Sequence, residues 1–384
     1  MRKVYFDHSA TTPVDPQVVE AMIPYFSEKF GNPSSIHSFG RETKVALEEA
    51  REKVAAFCNV RPADIYFTSG GTESDNMAIK GVAYEFKKKG RHIITSQIEH
   101  HAVLHCCEFL EKEGFEVTYL PPDKYGMIHP EAVEKAIRDD TILISIMHAN
   151  NEVGTINDIE KIGAIAHNKG ILFHTDAVQT FGKLPIDLGS LPVDLLSVSA
   201  HKIYGPKGVG LLYIRKGVRL TQLTHGGGHE RGRRPGTENI PGIIGLAKAV
   251  ELRQLRMKQE SERLKKMRDA FYEKLTKAIP RLHLNGHPKQ RLAGHLNVSF
   301  EGIEGEALLL SLDLKGVAAS SGSACTSGSL DPSHVLAAMG MKPELARASI
   351  RFTLGNENTD EDVDYVVSIL PEIVQRLRSM SALE

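Results

Sequence analysis

Short apolar runs recur through the first two thirds of the chain, at 65–68, 92–96, 116–120, 142–147, 171–175, 195–199 and 209–214. Between them, apolar residues return at helical spacing, most clearly at 41–57, 74–88 and 159–168. Such alternation predicts an α/β fold in which a mostly parallel, seven-stranded sheet is flanked by helices on both faces. Residues 243–279 are rich in Lys, Arg, Glu, Leu and Met, which predicts a long helix, or two abutting ones, leading into a second unit. That smaller α+β unit is expected to hold strands at 296–300 and 349–354. A last helix should open on the capping pair Thr359 and Asp362.

Composition narrows the field. A chain of 384 residues exceeds the size at which one core stops growing, and 41% hydrophobic content suffices for two packed interiors. A net charge of -1 gives no reason to expect nucleic acid as a partner. The run Lys87-Lys88-Lys89 reads as the solvated end of a helix. Asp7 and His8 interrupt the first apolar stretch, and no apolar run approaches 18 residues, so neither an export leader nor a membrane span is expected. Four cysteines do not make a disulfide framework; they suit a reducing, cytoplasmic setting.

Charged residues stand where several of the apolar runs end. Lys202 follows one such run and precedes a glycine-rich turn, and a partly desolvated lysine there can form an imine with a carbonyl compound. Asp176 closes another. Because α/β folds gather ligand chemistry at the carboxyl ends of parallel strands, the two point to one cleft. A carboxylate at that place suits a protonated pyridine nitrogen, with Gln179 at helical spacing able to reach the same ring. The turn Gly70-Gly71-Thr72 leads into a helix for which Thr72 fits as N-cap and Asp75 as its partner, a start that favours a phosphate group. It is neither a Walker sequence nor a dinucleotide fingerprint.

His100 follows a strand-like run and can lie flat on an aromatic ring. The cluster His100, His101, His105, Cys106 and Cys107 also raises a metal site. Adjacent cysteines on a helix point about 100 degrees apart, however, so Cys106 and Cys107 read as apolar helix residues and no metal is expected. Cys58 closes an apolar helix and reads as core. Cys325 lies in the glycine- and serine-rich segment 318–333, whose composition buries little apolar area and leaves the thiol on a loose arm.

Ser199-Ala200-His201-Lys202, Asp176 with Gln179, Gly71-Thr72, His100, Arg234-Pro235-Gly236-Thr237-Glu238-Asn239 and Ser321-Gly322-Ser323-Ala324-Cys325 together resemble a NifS/IscS-type cysteine desulfurase over nearly the whole chain. His229 stands where that family has glutamine and Pro235 where it has serine or alanine. The resemblance implies a fold type I enzyme dependent on pyridoxal 5'-phosphate (PLP), with a large domain at 14–257 and a small one made of 1–13 and 258–384. It implies that Lys202 holds the cofactor and moves the α-proton, that Asp176 and Gln179 bind the ring, and that His100 stacks on it. Gly71, Thr72, Ser199, His201 and Thr237 would bind the phosphate, Thr237 reaching the neighbouring subunit's cofactor in a homodimer. Arg351 and Asn151 would hold the carboxylate of L-cysteine, and Cys325 would take the sulfur as a persulfide for an acceptor such as an iron-sulfur scaffold. A selenocysteine lyase, an aminotransferase and a non-catalytic sulfur or iron-sulfur scaffold are the rival readings.

Overall fold

A computed structural model of the chain describes residues 2–321 and 332–380. The chain starts with a two-residue strand, β1 (Val4–Tyr5). The seven runs then become β2 (Ile65–Thr68), β3 (His92–Ser96), β4 (Glu116–Leu120), β5 (Thr141–Ser145), β6 (Leu172–Asp176), β7 (Leu195–Ser199) and β8 (Gly210–Ile214). They form one sheet in the order β2-β8-β7-β6-β5-β3-β4. All neighbouring pairs are parallel except β2–β8 and β8–β7, so β8 alone is reversed and the other six strands end at one edge. Most of these strands are buried throughout, because helices cover both faces.

The alternation therefore places the strands and helices within a few residues of expectation. One helix start differs. The helix after β2 runs Gly71–Phe86 with Gly70 at the N-cap, so Thr72 is its second residue and not the cap. Gly70 takes φ 153, a conformation that β-branched threonine avoids, and this moves the chain's turn two residues earlier. Thr359, by contrast, does open the last helix: its amide donates to Asp362 Oδ2 at 3.1 Å, and the helix spans Asp360–Met380.

The second unit carries β9 (Leu282–Asn285), β10 (His295–Phe300), β11 (Val317–Ala318) and β12 (Ser349–Thr353). An antiparallel sheet of order β12-β10-β9 holds its core, and β1 pairs in parallel with β11. Val4 and Phe6 bury in this second core beside Phe271, Phe300 and Phe352. One unbroken helix, Ile240–Ala278, links the two cores: Ile243, Leu246 and Val250 pack in the first, Leu264, Phe271 and Leu275 in the second. The short helix His334–Ala338 crosses back, and its Val335 and Leu336 bury in the first core.

The loop between β8 and the long helix is pinned from within. Glu230, at φ 45, turns its carboxylate into the core, where it accepts from Arg51 Nη1 at 2.9 Å, Arg51 Nη2 at 2.7 Å and the Phe67 amide at 2.8 Å. Both charged side chains are 2% exposed. Removing one partner leaves a buried charge without compensation, which costs far more than the pair's net contribution. Glu230→Ala is therefore expected to lose about 3–5 kcal/mol of stability in chemical denaturation. A loss under about 1 kcal/mol would show that this pair does not anchor the loop.

Candidate active site

The strand ends converge on a cleft of about 600 Å³. Its wall includes Gly71, Thr72, His100, Asn151, Asp176, Gln179, Ser199, His201, Lys202 and Arg351, ten of the twelve residues singled out in the sequence. Of the remaining two, Thr237 is exposed on the loop before the long helix and does not line this cleft. Cys325 lies outside the described residues.

Lys202 ends a single helical turn, Ala200–Lys202, that follows β7 directly. Its Nζ donates to the carbonyls of Ser9 and Ala10, each at 2.6 Å. The N-terminal segment is thus part of the site, a role the apolar pattern does not reveal. Thr11 and Thr12 continue it: Thr11 Oγ1 meets His201 Nδ1 at 3.1 Å, and Thr12 Oγ1 donates to the His201 carbonyl at 3.0 Å.

Asp176 is the last residue of β6 and 6% exposed. Burial pushes its carboxyl up to about 6, against the opposing effects of the Val178 amide, which donates to Oδ1 at 2.8 Å, and of the Lys202 charge. Two further carboxyls lie close by. Asp75, on the first helix of the cleft, is held well above the usual carboxylate range by burial and by Asp176. Glu99, fully buried, is pushed up to about 8 for the same leading reason and accepts from Ser96 Oγ and the Met147 amide. Glu99 is therefore mainly protonated at neutral pH, and Asp75 is pushed toward its neutral form. Asp176 is consequently the member of the trio that carries the charge. His174, 3.6 Å from Asp75, is pushed down by burial to about 3, so the imidazole in that contact is neutral.

His100 caps the helix His101–Lys112, with Nδ1 accepting the Ala102 amide at 3.1 Å. Burial, aided by the Lys202 charge, lowers it to about 4. A neutral ring whose Nδ1 is an acceptor carries its proton on Nε2. Cys106 and Cys107 are buried on the same helix, as their apolar reading requires, and burial raises the Cys106 thiol to about 12.

Gln179 donates from Nε2 to the Ser9 carbonyl at 3.0 Å. Arg351 reaches in from β12, its Nη1 donating to the Asn151 carbonyl at 3.1 Å and its Nη2 to Asp7 Oδ1 at 2.8 Å. Its Nε is buried with no partner among the described residues. Around the helix start at Gly71 the backbone is tight: a Cβ on Gly71 would stand 2.7 Å from Val178 Cγ2. No side chain caps that helix, which leaves its first amides directed at the cleft beside Ser199. His229 pairs with Glu238 at 2.9 Å, and Arg234 with Glu73 at 2.8 Å, so the unusual His229 is accommodated in the loop that carries Thr237.

Sequence reasoning missed Glu99, Asp7 and the Ser9-Ala10 carbonyls, and it read Asp75 as a capping partner of Thr72, whereas Asp75 is buried and lines the cleft. Asp75 was detectable in principle, being a charged residue on the apolar stripe it shares with Ala78, Ile79 and Val82.

Residues 4–366 match the family described as aminotransferase class-V, and the chain belongs to that family. Within it, the chain falls among the NifS/IscS-type cysteine desulfurases. A cysteine desulfurase IscS of Methanosarcina thermophila is 59% identical over 382 residues, covering 100% of this chain and 94% of that protein. Another, of Dictyoglomus turgidum, is 57% identical and covers 99% of this chain and 96% of its own. A solved NifS-like protein superimposes with a TM-score of 0.92 at 44% identity, covering 98% of this chain and 100% of that one. SspA, solved in complex with cysteine, gives 0.83 at 42% identity, covering 92% and 99%. No helix among the described residues is long and apolar enough to cross a membrane.

The cofactor of this class is pyridoxal 5'-phosphate, and the residues present fit it. Asp176 offers a buried carboxylate for a ring nitrogen, Lys202 an amine for the aldehyde, and the glycine-backed helix start at Gly71 a cradle for the phosphate.

Asp176 sets a testable pH dependence. Its native value of about 6 lies above the ordinary 3.8, so its contribution to stability is fully present below pH 3.8 and is lost as pH rises through 6. Asp176→Asn keeps the oxygen facing Val178 and removes that cost. The cofactor-free variant should be more stable than the parent by about 2–3 kcal/mol at pH 8, with the gain shrinking toward pH 5, while its affinity for PLP falls. Thermal melts at the two pH values, with cofactor titrations, check this. Equal stability of variant and parent at pH 8 would contradict it.

Proposed function

We propose that the chain is a PLP-dependent desulfurase that takes sulfur from L-cysteine onto Cys325 and releases L-alanine. The observation that carries this reading is the meeting, in one cleft, of Lys202, the buried carboxylate of Asp176 and the guanidinium of Arg351. When bound, PLP supplies an electron sink for negative charge at the substrate α-carbon. The remaining steps belong to the chain's own groups.

Asp176, its ionised form supported by the Val178 amide and the Lys202 charge, would hold a positive charge on the ring nitrogen. Gly71, Thr72, Ser199 and His201 hold the phosphate, and Gln179 with His100 bracket the ring. Arg351 forks onto the substrate carboxylate, a partner that competes with Asp7 for the same guanidinium, and Asn151 lines that end of the cleft. Lys202 takes the α-proton and returns one to the product side, while the Nε2 proton of His100 is available to a developing negative charge. Cys325 then attacks the substrate sulfur as a thiolate. The carbon-sulfur pair passes to the β-carbon, which takes up a proton, so that cysteine plus thiol becomes alanine plus persulfide with no outside oxidant.

Acceptors of the persulfide, such as an iron-sulfur scaffold, complete the cycle. A homodimer is supported by the exposed apolar side chains of Ile23, Phe26, Phe30, Ile36 and Phe39, and by Thr237 standing exposed outside its own cleft.

Borohydride reduction of the holoprotein followed by peptide mass mapping should find the cofactor on Lys202, and Lys202→Ala should lose both the adduct and turnover. Cys325→Ala should keep the bound cofactor and its visible absorbance but fall at least about 100-fold in alanine formation. Undiminished alanine formation by Cys325→Ala would remove that thiol from the mechanism.

A further inference from the structure

The chain is fastened on both sides of Cys325. Before it, Ser320 exchanges backbone hydrogen bonds with Arg351: the Arg351 amide donates to the Ser320 carbonyl at 2.6 Å, and the Ser320 amide to the Arg351 carbonyl at 3.2 Å. After it, the fastening is at Ser333, eight residues on. Ser333 Oγ donates to Glu152 Oε2 and accepts the Leu336 amide at 3.2 Å, so one hydroxyl both caps the helix His334–Ala338 and ties it to the turn after β5. His334 adds a second contact, its Nε2 donating to the Glu99 carbonyl at 3.0 Å, next to His100.

Glu152 is 3% exposed and Ser333 4%, and a carboxyl group at such depth is costly unless it is hydrogen-bonded. The backbone of Glu152 is fixed as well. Its amide donates to Asn150 Oδ1 at 2.9 Å, and its carbonyl accepts from Asn297 Nδ2 of β10 at 3.1 Å. The carbonyl one residue earlier, that of Asn151, accepts Arg351 Nη1 at 3.1 Å. Burial raises the Glu152 carboxyl to about 7, against the Ser333 hydrogen bond and the Arg351 charge, so the guanidinium is felt there too. Arg351, Asn151, Glu152 and Ser333 thus make one run of contacts, from the end of the cleft assigned to the substrate carboxylate to the chain after Cys325. A buried ionisable group adds little net stability over an apolar side chain of the same size. What it adds is a directional contact, which an apolar side chain lacks.

We infer that Glu152 is a positioning residue for sulfur transfer: through Ser333 it fixes where the chain after Cys325 is rooted, beside the guanidinium that takes the substrate carboxylate, and so governs how readily the thiol meets the substrate sulfur. The inference rests on Cys325 being the thiol that accepts sulfur. Cofactor binding and removal of the α-proton use other groups and do not depend on this contact.

The test times two events after the holoprotein is mixed with L-cysteine: the absorbance change of the bound cofactor, and persulfide on the Cys325 peptide, trapped by alkylation and read by mass spectrometry. Ser333→Ala and Glu152→Leu should each slow persulfide formation by about 10-fold or more. The rate and cysteine dependence of the absorbance change should stay within about 2-fold of the parent. Glu152→Leu keeps the Ser333 helix cap, so slowing in Ser333→Ala alone would assign the effect to the cap and overturn the inference. The double variant should be no slower than the slower single one, because both remove the same contact; multiplied losses overturn it. A merely structural role would slow both events together, and that result, or an unmoved persulfide rate, also overturns it. If Glu152→Leu does not fold, Glu152→Asp, which draws the carboxyl back from Ser333 and keeps its ionisable character, should show the same selective slowing; an unchanged rate overturns the inference. The parent separates the two levels. Absence of persulfide on Cys325 in the parent defeats the reading of that thiol and this inference with it, whereas persulfide there at one rate in parent and variants defeats the role of Glu152 alone.

Discussion

A negative charge kept at Asp176, beside two carboxyls that burial pushes toward their neutral forms, is the constraint on which the site depends. Burial pushes this carboxyl toward its neutral form, as it does Asp75 and Glu99 beside it. What tips the balance is local: a backbone amide from Val178 and a lysine across the cleft. A buried group whose ionisation is this finely poised binds a cationic partner strongly, because the partner removes an unfavourable state that the empty fold must otherwise bear. Binding of a pyridinium and relief of Asp176 are thus one event.

The fold supplies that constraint by placing unlike elements at one edge. Six strands end together, and three of them, β2, β6 and β7, present the phosphate cradle, the carboxylate and the lysine within one or a few residues of their last positions. The second unit closes the site from the other side through Arg351, and the N-terminal segment runs between the two, offering Ser9 and Ala10 to Lys202 and Asp7 to Arg351. The long helix, rooted in both cores, fixes the distance across which these groups must meet. Loss of packing in either core would therefore be felt in the cleft.

The parts of the site that could be read from the sequence are those whose position is local. Lys202, Asp176 and Gly71 sit directly beyond apolar runs, and the physics of parallel sheets says where such ends go. His100 was legible as a site residue for the same reason, though not as the N-cap that sets its tautomer. Thr72 was misplaced as a cap because a glycine with φ 153 began the helix earlier, and a dihedral angle leaves no mark in composition. Long-range partnerships were invisible: Gln179 meets Ser9 across 170 positions and Arg351 meets Asp7 across 344.

The most direct measurement of the central claim is neutron diffraction of the holoprotein at neutral pH, which locates individual protons. The account predicts hydrogen on the ring nitrogen of the cofactor and on the carboxyls of Asp75 and Glu99, with none on Asp176. A proton on Asp176 facing a bare ring nitrogen would contradict it.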